Sequence, residues 1–213
     1  MNNMNEMEIC KHLDLKFDEF LSKIKCPELR GKLEKELYFA GGCIYCLRND
    51  KPVKDYDLFL KSADLIEALL SLDIWSYMSE YALTCGKFQI VTKYHGHPEA
   101  CAGQFDFKHN MHYYIPKTMK IGCAYEDEIW DEVINGYFNE EPYFEQYKYL
   151  DTDELIFNEN RARDIEGVWL RVEKFTARGM KISKETKKKI KKRISRKSVK
   201  QYKKSREGGR SFH

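Results

Sequence analysis

Hydrophobic and polar positions follow two periods along the chain. Over residues 13–26, Leu13, Phe17, Phe20, Leu21 and Ile24 recur at the spacing of one helix face, and the segment stops near Cys26-Pro27. Glu28–Glu36 reads as a second, shorter helix. The apolar run Leu37-Tyr38-Phe39-Ala40 has the length of a buried strand and is closed by Gly41-Gly42. A short helix over Cys43–Arg48 and a polar turn, Asn49-Asp50-Lys51-Pro52, are expected next. In Val53–Leu60, Tyr56, Leu58 and Leu60 alternate with Asp55, Asp57 and Phe59, which is the pattern of a strand. The pattern further predicts helices over Leu65–Leu72, Trp75–Ala82, Glu126–Phe138 and Leu155–Ala177. It predicts strands over Phe88–Tyr94 and Gly103–Phe107, joined through His95-Gly96-His97-Pro98. From Ile182 onward, Ile182, Thr186, Ile190 and Ile194 form a narrow apolar stripe on a cationic helix.

With 213 residues, 42% apolar and 33% charged, the chain has the make-up of one ordinary domain, or of a compact domain with a small appendage. No apolar run approaches the ~18 residues that suggest a membrane span. The first ten residues are polar, so no secretory signal and no membrane are expected. Seven irregularly spaced cysteines read as reduced thiols, and the expected location is the cytoplasm. The net charge of +3 hides an asymmetry: residues 181–213 carry fifteen Lys/Arg against two Glu, which leaves the other 180 residues at −10. A basic tail of this kind meets polyanions, and Lys187, Lys188, Lys189, Lys191, Lys192, Arg193, Arg196 and Lys197 are its candidate nucleic-acid contacts. A solvated helix end is the plainer account.

Three pieces carry chemistry when read together. Gly41-Gly42 lies between a strand and a helix, where backbone N–H groups can approach phosphate oxygens. Asp55 and Asp57 stand two apart on the next strand and must project side by side. Adjacent carboxylates repel unless a cation sits between them, and hard divalent ions prefer such oxygen donors. Asp106, in the apolar–Asp–apolar context of Phe105-Asp106-Phe107, would add a third carboxylate from another strand and complete a metal clamp. Lys51 and Lys54 flank the acidic pair and could equally meet the triphosphate or be solvated loop lysines. Other features have plainer accounts: His95, His97 and Cys101 lack a fourth zinc ligand, His109 and His112 suit polar packing, and Cys43-x-x-Cys46 suits helix packing. Tyr113-Tyr114 reads as half-buried structure rather than a base platform.

The order of these pieces resembles the nucleotidyltransferase superfamily. The resemblance rests on Leu-Tyr-Phe-Ala-Gly-Gly-Cys-Ile-Tyr (37–45) followed by Val-Lys-Asp-Tyr-Asp-Leu-Phe-Leu (53–60). Gln104–Met111 is similar to the Arg-Arg-Asp-Phe-Thr-Ile-Asn-Ala motif of bacterial CCA-adding enzymes and poly(A) polymerases, and Leu170–Gly179 to their neck helix. The resemblance implies an α+β fold: a small mixed sheet of four or five strands with helices on one face, then a helical neck and a basic C-terminal helix. The resemblance covers roughly residues 35–190 and implies a catalytic head (37–125) and a helical neck (126–180), which the pattern and charge flank with an N-terminal helical segment (1–36) and the basic tail (181–213). Asp55 and Asp57 would bind Mg2+ or Mn2+. Asp106 would be a third metal ligand or the motif aspartate beside the sugar and the domain contact. Gly41, Gly42, Lys54 and Arg171 would bind the nucleoside triphosphate. The implied activity is transfer of a nucleotidyl group to an acceptor hydroxyl, on RNA or another nucleic acid. The alternatives are a catalytically silent binding or assembly module, and transfer onto a protein or small molecule. Tyr45 and Cys46 stand where the family has Arg and Asp. Ile165 and Val168 stand where its neck reads the incoming base, so CCA specificity is not implied.

Overall fold

The computed structural model describes residues 3–125, 147–160 and 167–193. The first helix, α1 (Glu6–Ser22), starts seven residues before its apolar stripe because Asn5 caps it. The Asn5 side chain accepts from the Glu8 N–H at 2.9 Å, and Glu8 accepts from the Asn5 N–H at 2.8 Å. Its buried face is Ile9, Leu13, Phe17, Phe20 and Leu21. Pro27, tolerated at a helix start because its missing N–H has no partner there, opens α2 (Pro27–Glu36). Then come β1 (Leu37–Ala40), α3 (Gly42–Arg48), β2 (Tyr56–Leu60), α4 (Ile66–Leu70), β3 (Tyr77–Met78), β4 (Ala82–Cys85), β5 (Phe88–His95) and α5 (Pro98–Ala102). A 3-10 turn at Lys108–Asn110 leads to β6 (His112–Tyr114) and β7 (Ile121–Cys123). Val168–Thr176 form α6, and residues 184–193 form α7.

The strands make one seven-stranded sheet in the order β3-β4-β5-β2-β1-β6-β7. Among the described strands only β2 and β5 pair in parallel, with Asp57 beside Gln89 and Phe59 beside Val91. The fold is α+β with a mixed sheet, as expected, but wider by two or three strands. Helices α1, α2 and α3 share the main core with one sheet face, where Phe17 packs edge-on against Phe39 at 6.1 Å. On the other face, Tyr38, Ala40 and Phe59 form a smaller cluster with Cys101, and Val91, Tyr94 and Phe105 pack against it. Asp57 and Phe59 belong to this more open face by strand alternation.

Several expected elements are corrected. Trp75–Ala82 is not a helix. It holds β3 and the start of β4, because β4 pairs with β5 across the two-residue loop Gly86-Lys87, where Gly86 has a positive φ of 63°. Pairing with a distant strand overrides local propensity here. Gly103–Phe107 is not a strand either. Pro98 starts α5, and the Asn158 side-chain amide then takes the carbonyls of Gly103 and Phe105 at 2.8 and 3.0 Å, bonds that a neighbouring strand would otherwise make. Only Phe107 bridges, to Phe157. Within Leu155–Ala177, residues 155–160 are not helical, and the described helix is confined to Val168–Thr176. The helix expected over Glu126–Phe138 lies outside the described residues. In α7 the stripe packs inward: Thr186 and Ile190 are buried and Ile182 lies against the core, while Ile194 lies outside the described residues.

His109, in the 3-10 turn, packs against both α3 and α6. It is 1% exposed and caged by Tyr45, Phe107 and Phe175, whose ring centroid is 4.8 Å away. Neither ring nitrogen has a hydrogen-bond partner among the described residues. Burial first, then the charges of His112 and Lys51, lowers its pKa from 6.5 to about 3. Between those values the unfolded chain binds a proton that the native state refuses, so this group makes stability fall as pH drops from 6.5 toward 3. Thermal melts at pH 7 and pH 5 should therefore diverge less for His109→Leu than for the wild type. An equal pH response would show that His109 does not govern the acid limb.

Candidate active site

A cavity of about 750 Å³ opens on the second sheet face. Its rim is built by the β1–α3 turn, the approach to β2, residues 104–110 and the α6 segment. Gly41 forms the floor. Its φ of +90° is a conformation that L side chains rarely adopt, and its N–H donates to the His112 carbonyl at 3.1 Å. A Cβ there would lie 3.7 Å from Asp57 Oδ2 and 3.7 Å from the Phe105 ring, filling the gap between them. On the other side, a Cβ on Gly42 would lie 3.7 Å from Asn110 Oδ1, a buried oxygen without a partner among the described residues.

Asp57 stands on β2, and Asp55 lies one residue before the strand, so the pair spans the strand entry rather than the strand itself. Both line the cavity. The Asp57 pKa rises from 3.8 to about 7, because burial penalises its charge and Asp55 repels it, against a smaller opposing pull from Lys174. Two oxygen donors that resist joint ionisation fit a hard divalent cation, which would remove both penalties. Asp55 and Asp57 are the residues that could hold one.

Asp106 also lines the cavity, but the structure gives it to another partner. Its Oδ2 is 2.7 Å from an Arg171 guanidinium nitrogen, and its side chain is only 4% exposed. Among the described residues, no three His, Cys, Asp or Glu side chains are grouped to hold one metal. The expectation of three converging carboxylates is therefore corrected. Asn158 winds the 103–107 segment into a turn, and its backbone N–H also donates to the Asp106 carbonyl at 2.8 Å. This turns Asp106 toward α6.

Lys54 and Arg171 line the cavity together with Gly41 and Gly42. Lys174 and Arg178 line it too and were not singled out from the sequence. Their signal was the helical step Arg171, Lys174, Arg178, which sets three cations on one face. The aromatic and apolar side chains of Phe59, Val91, Tyr94 and Phe105 complete the wall. The tail residues Lys187, Lys188, Lys189, Lys191, Lys192 and Arg193 lie on α7 and are not among the residues that line this cavity. Lys189 pairs with Glu159 at 2.8 Å and with Glu185 at 3.3 Å. Arg196 and Lys197 lie outside the described residues. His97 pairs with Glu99, and Cys43 is buried with its thiol pKa raised by burial.

Three solved structures share this architecture. The Thermotoga maritima CCA-adding enzyme complexed with tRNA matches at 14% identity with a TM-score of 0.50, over 84% of this chain and 45% of that one. A tRNA-processing enzyme in apo form I matches at 15% identity and TM-score 0.52, over 84% and 47%. A CCA-adding enzyme in apo form I matches at 14% and 0.50, over 86% and 46%. At such identities the likeness establishes a nucleotidyltransferase-like fold, and the chain spans under half the length of these enzymes. No curated protein sequence matches the chain. The sequence profile of the Gad2 proteins, described as "Gabija anti-defense 2 family protein", matches residues 11–136. Because that match runs over more than half of the chain, the protein is a member of the Gabija anti-defense 2 family.

Proposed function

We propose that the protein is a metal-dependent nucleotidyltransferase that moves a nucleoside monophosphate from a nucleoside triphosphate to an acceptor hydroxyl. The observation that carries this reading is the acidic pair Asp55 and Asp57 beside the open backbone of Gly41, in a cavity that also presents cations. A divalent ion held by the pair would offset charge on the reacting phosphate. The acceptor oxygen attacks the α-phosphorus and the bond to the β-phosphate breaks. Pyrophosphate leaves with the electron pair, and the hydroxyl proton passes to water. Gly41 and Gly42 leave room for phosphate against the backbone, while the aromatic wall suits a flat ring. The basic tail supports a nucleic-acid acceptor, by the salt-dependent attraction of clustered cations for phosphates. The family's name ties its members to countering Gabija defence, so the acceptor would be sought among the components that this defence needs.

A second reading is a catalytically silent member of the fold that acts by binding. It is favoured by Tyr45 and Cys46 in place of the Arg and Asp of the resembling enzymes, and by the loss of Asp106 to Arg171. One experiment separates the two. The protein is incubated with each α-labelled triphosphate, magnesium and bulk RNA, and the polymer-bound label is counted. Label on RNA that vanishes with chelator supports transfer. RNA retention without label supports the silent module.

A further inference from the structure

We infer that the outer edge of the sheet, at β3, is a docking site for an extended segment of another protein, apolar along the strand and flanked by Lys or Arg. The inference stands apart from the nucleotidyl-transfer reading. A spacing of ~4.8 Å per strand puts β3 about 15 Å from β2, which carries Asp57. No residue of β3 or β4 lines the cavity, so a segment added at this edge leaves it open.

One row of side chains on the main-core face runs across the sheet, with Phe39, Leu58, Ile90, Leu83 and Met78 paired in turn. The first four are at most 1% exposed, whereas Met78 is 58% exposed. The apolar row thus runs on past the cover of the helices, and its last member meets water. Leu70, Tyr77 and Tyr81 are exposed nearby in the chain, so four of the eight exposed large apolar side chains among the described residues fall within residues 70–81. The Trp75 indole N–H donates to the Leu69 carbonyl at 2.7 Å and holds the end of α4 beside the approach to β3. Exposed apolar residues concentrated in this way mark an interaction surface, which single scattered ones do not.

The backbone is open at the same place. Ser79 donates its N–H inward to the Ala82 carbonyl at 3.0 Å, and hydrogen bonding alternates along an antiparallel strand, so the N–H and C=O of Met78 point outward. Ser76 also donates inward, to the carbonyl of Thr84 at 2.8 Å, although Tyr77 is the register partner of Thr84. That irregularity leaves the outward groups centred on Met78. At the opposite edge, Glu6 of α1 accepts the Ile121 N–H of β7 at 2.8 Å. Sheets usually guard an open edge with lysine, proline or an inward-pointing charge, and residues 74–79 carry none of these. Charge selects the occupant. Residues 62–86 hold Asp64, Glu67, Asp73 and Glu80 and no Lys or Arg. Lys93 reaches Glu80 at 3.7 Å, and among the described residues the other three acids form no ion pair. A second copy would set these acids against themselves, whereas a cationic segment meets them favourably. Strand addition then supplies main-chain hydrogen bonds, and Met78 with its apolar neighbours supplies the contact surface.

The test uses the full chain and a synthetic peptide of alternating valine and threonine with lysines at both ends. Its controls are a twin with glutamate in place of lysine, and a copy N-methylated at alternate residues so that one edge cannot donate. The lysine peptide should bind about ten-fold more tightly than either control, and less tightly as salt rises. Hydrogen exchange at the Met78 amide should slow in the complex. Met78→Pro removes the outward N–H without touching the bonds to β4, and should weaken binding about ten-fold. Met78→Ser keeps the N–H but ends the apolar row early, and should weaken binding as well. The position is exposed, so the unliganded melts of both variants should stay close to the wild type. Absence of binding by the lysine peptide, equal binding of the N-methylated copy, or equal binding by Met78→Pro overturns the docking site. A dimer in sedimentation that Met78→Pro converts to monomer overturns it too, because the edge would then belong to a second copy. The transfer reading is judged separately, by labelled product from a triphosphate. Strand binding without product removes that reading alone, and product without strand binding removes the docking site alone.

Discussion

Asp57→Asn should abolish magnesium-dependent transfer and yet give a protein that melts no lower than the wild type at pH 8. Asparagine keeps the shape of the side chain but loses the charge that a divalent ion needs. A bound metal contributes several kcal/mol of charge stabilisation to phosphoryl chemistry, so a loss of about three orders of magnitude in rate is expected. The stability side follows from the Asp57 pKa of about 7, raised by burial and by Asp55. Through the window from about pH 4 to 7 the native state keeps a proton that the unfolded chain has released. The native state binds more protons there, so this group's contribution to stability falls as pH rises and levels off above about 7. Asparagine does not titrate. The melting curves of metal-free wild type and variant should therefore converge near pH 4 and separate by pH 8, with the variant higher. Magnesium should raise the wild-type melting temperature at pH 8 and leave the variant unmoved. A variant that still transfers label, or one that also responds to magnesium, would show that the acidic pair is not the metal site.

Arg171→Ala should be the most damaging single change in α6. It leaves the Asp106 carboxylate, whose side chain is 4% exposed, without the guanidinium now 2.7 Å away. Removing one partner of a fully buried pair costs roughly 3–5 kcal/mol. Arg171 is itself 48% exposed, so water restores part of that loss and about 2 kcal/mol is expected. For a chain of this size, that lowers the melting temperature by about 4–8 °C. Asp106→Asn in the Arg171→Ala background should recover much of the loss, because the buried carboxylate that lost its guanidinium is then neutral. The same variants decide the role of Asp106. If it serves as a partner for the neck, Asp106→Asn alone lowers stability but preserves the magnesium-induced rise in melting temperature. If it binds metal, that rise disappears.

How much of this was legible beforehand depended on the range of the interactions. The β1–Gly41-Gly42–α3–β2 unit is local. Apolar runs, a glycine pair and an alternating strand lie within two dozen residues, and the sequence by itself determined their order, although Asp55 falls one residue short of the strand it was expected to share with Asp57. The fold class followed from the same unit. Where long-range pairing decides, the pattern misled. Residues 77–85 became strands because β5 was there to pair with, and 103–107 did not because Asn158, more than fifty residues away, took the free carbonyls. Asp106 shows the limit most clearly. An aspartate between two phenylalanines looks the same whether it meets a metal or an arginine. Only the tertiary placement of α6 set Arg171 over it and brought Lys174 and Arg178 to the cavity. Composition and spacing establish which charges a chain owns. Which of them neutralise each other inside the molecule, and which remain for a ligand, is settled by distance, and distance comes from the tertiary fold.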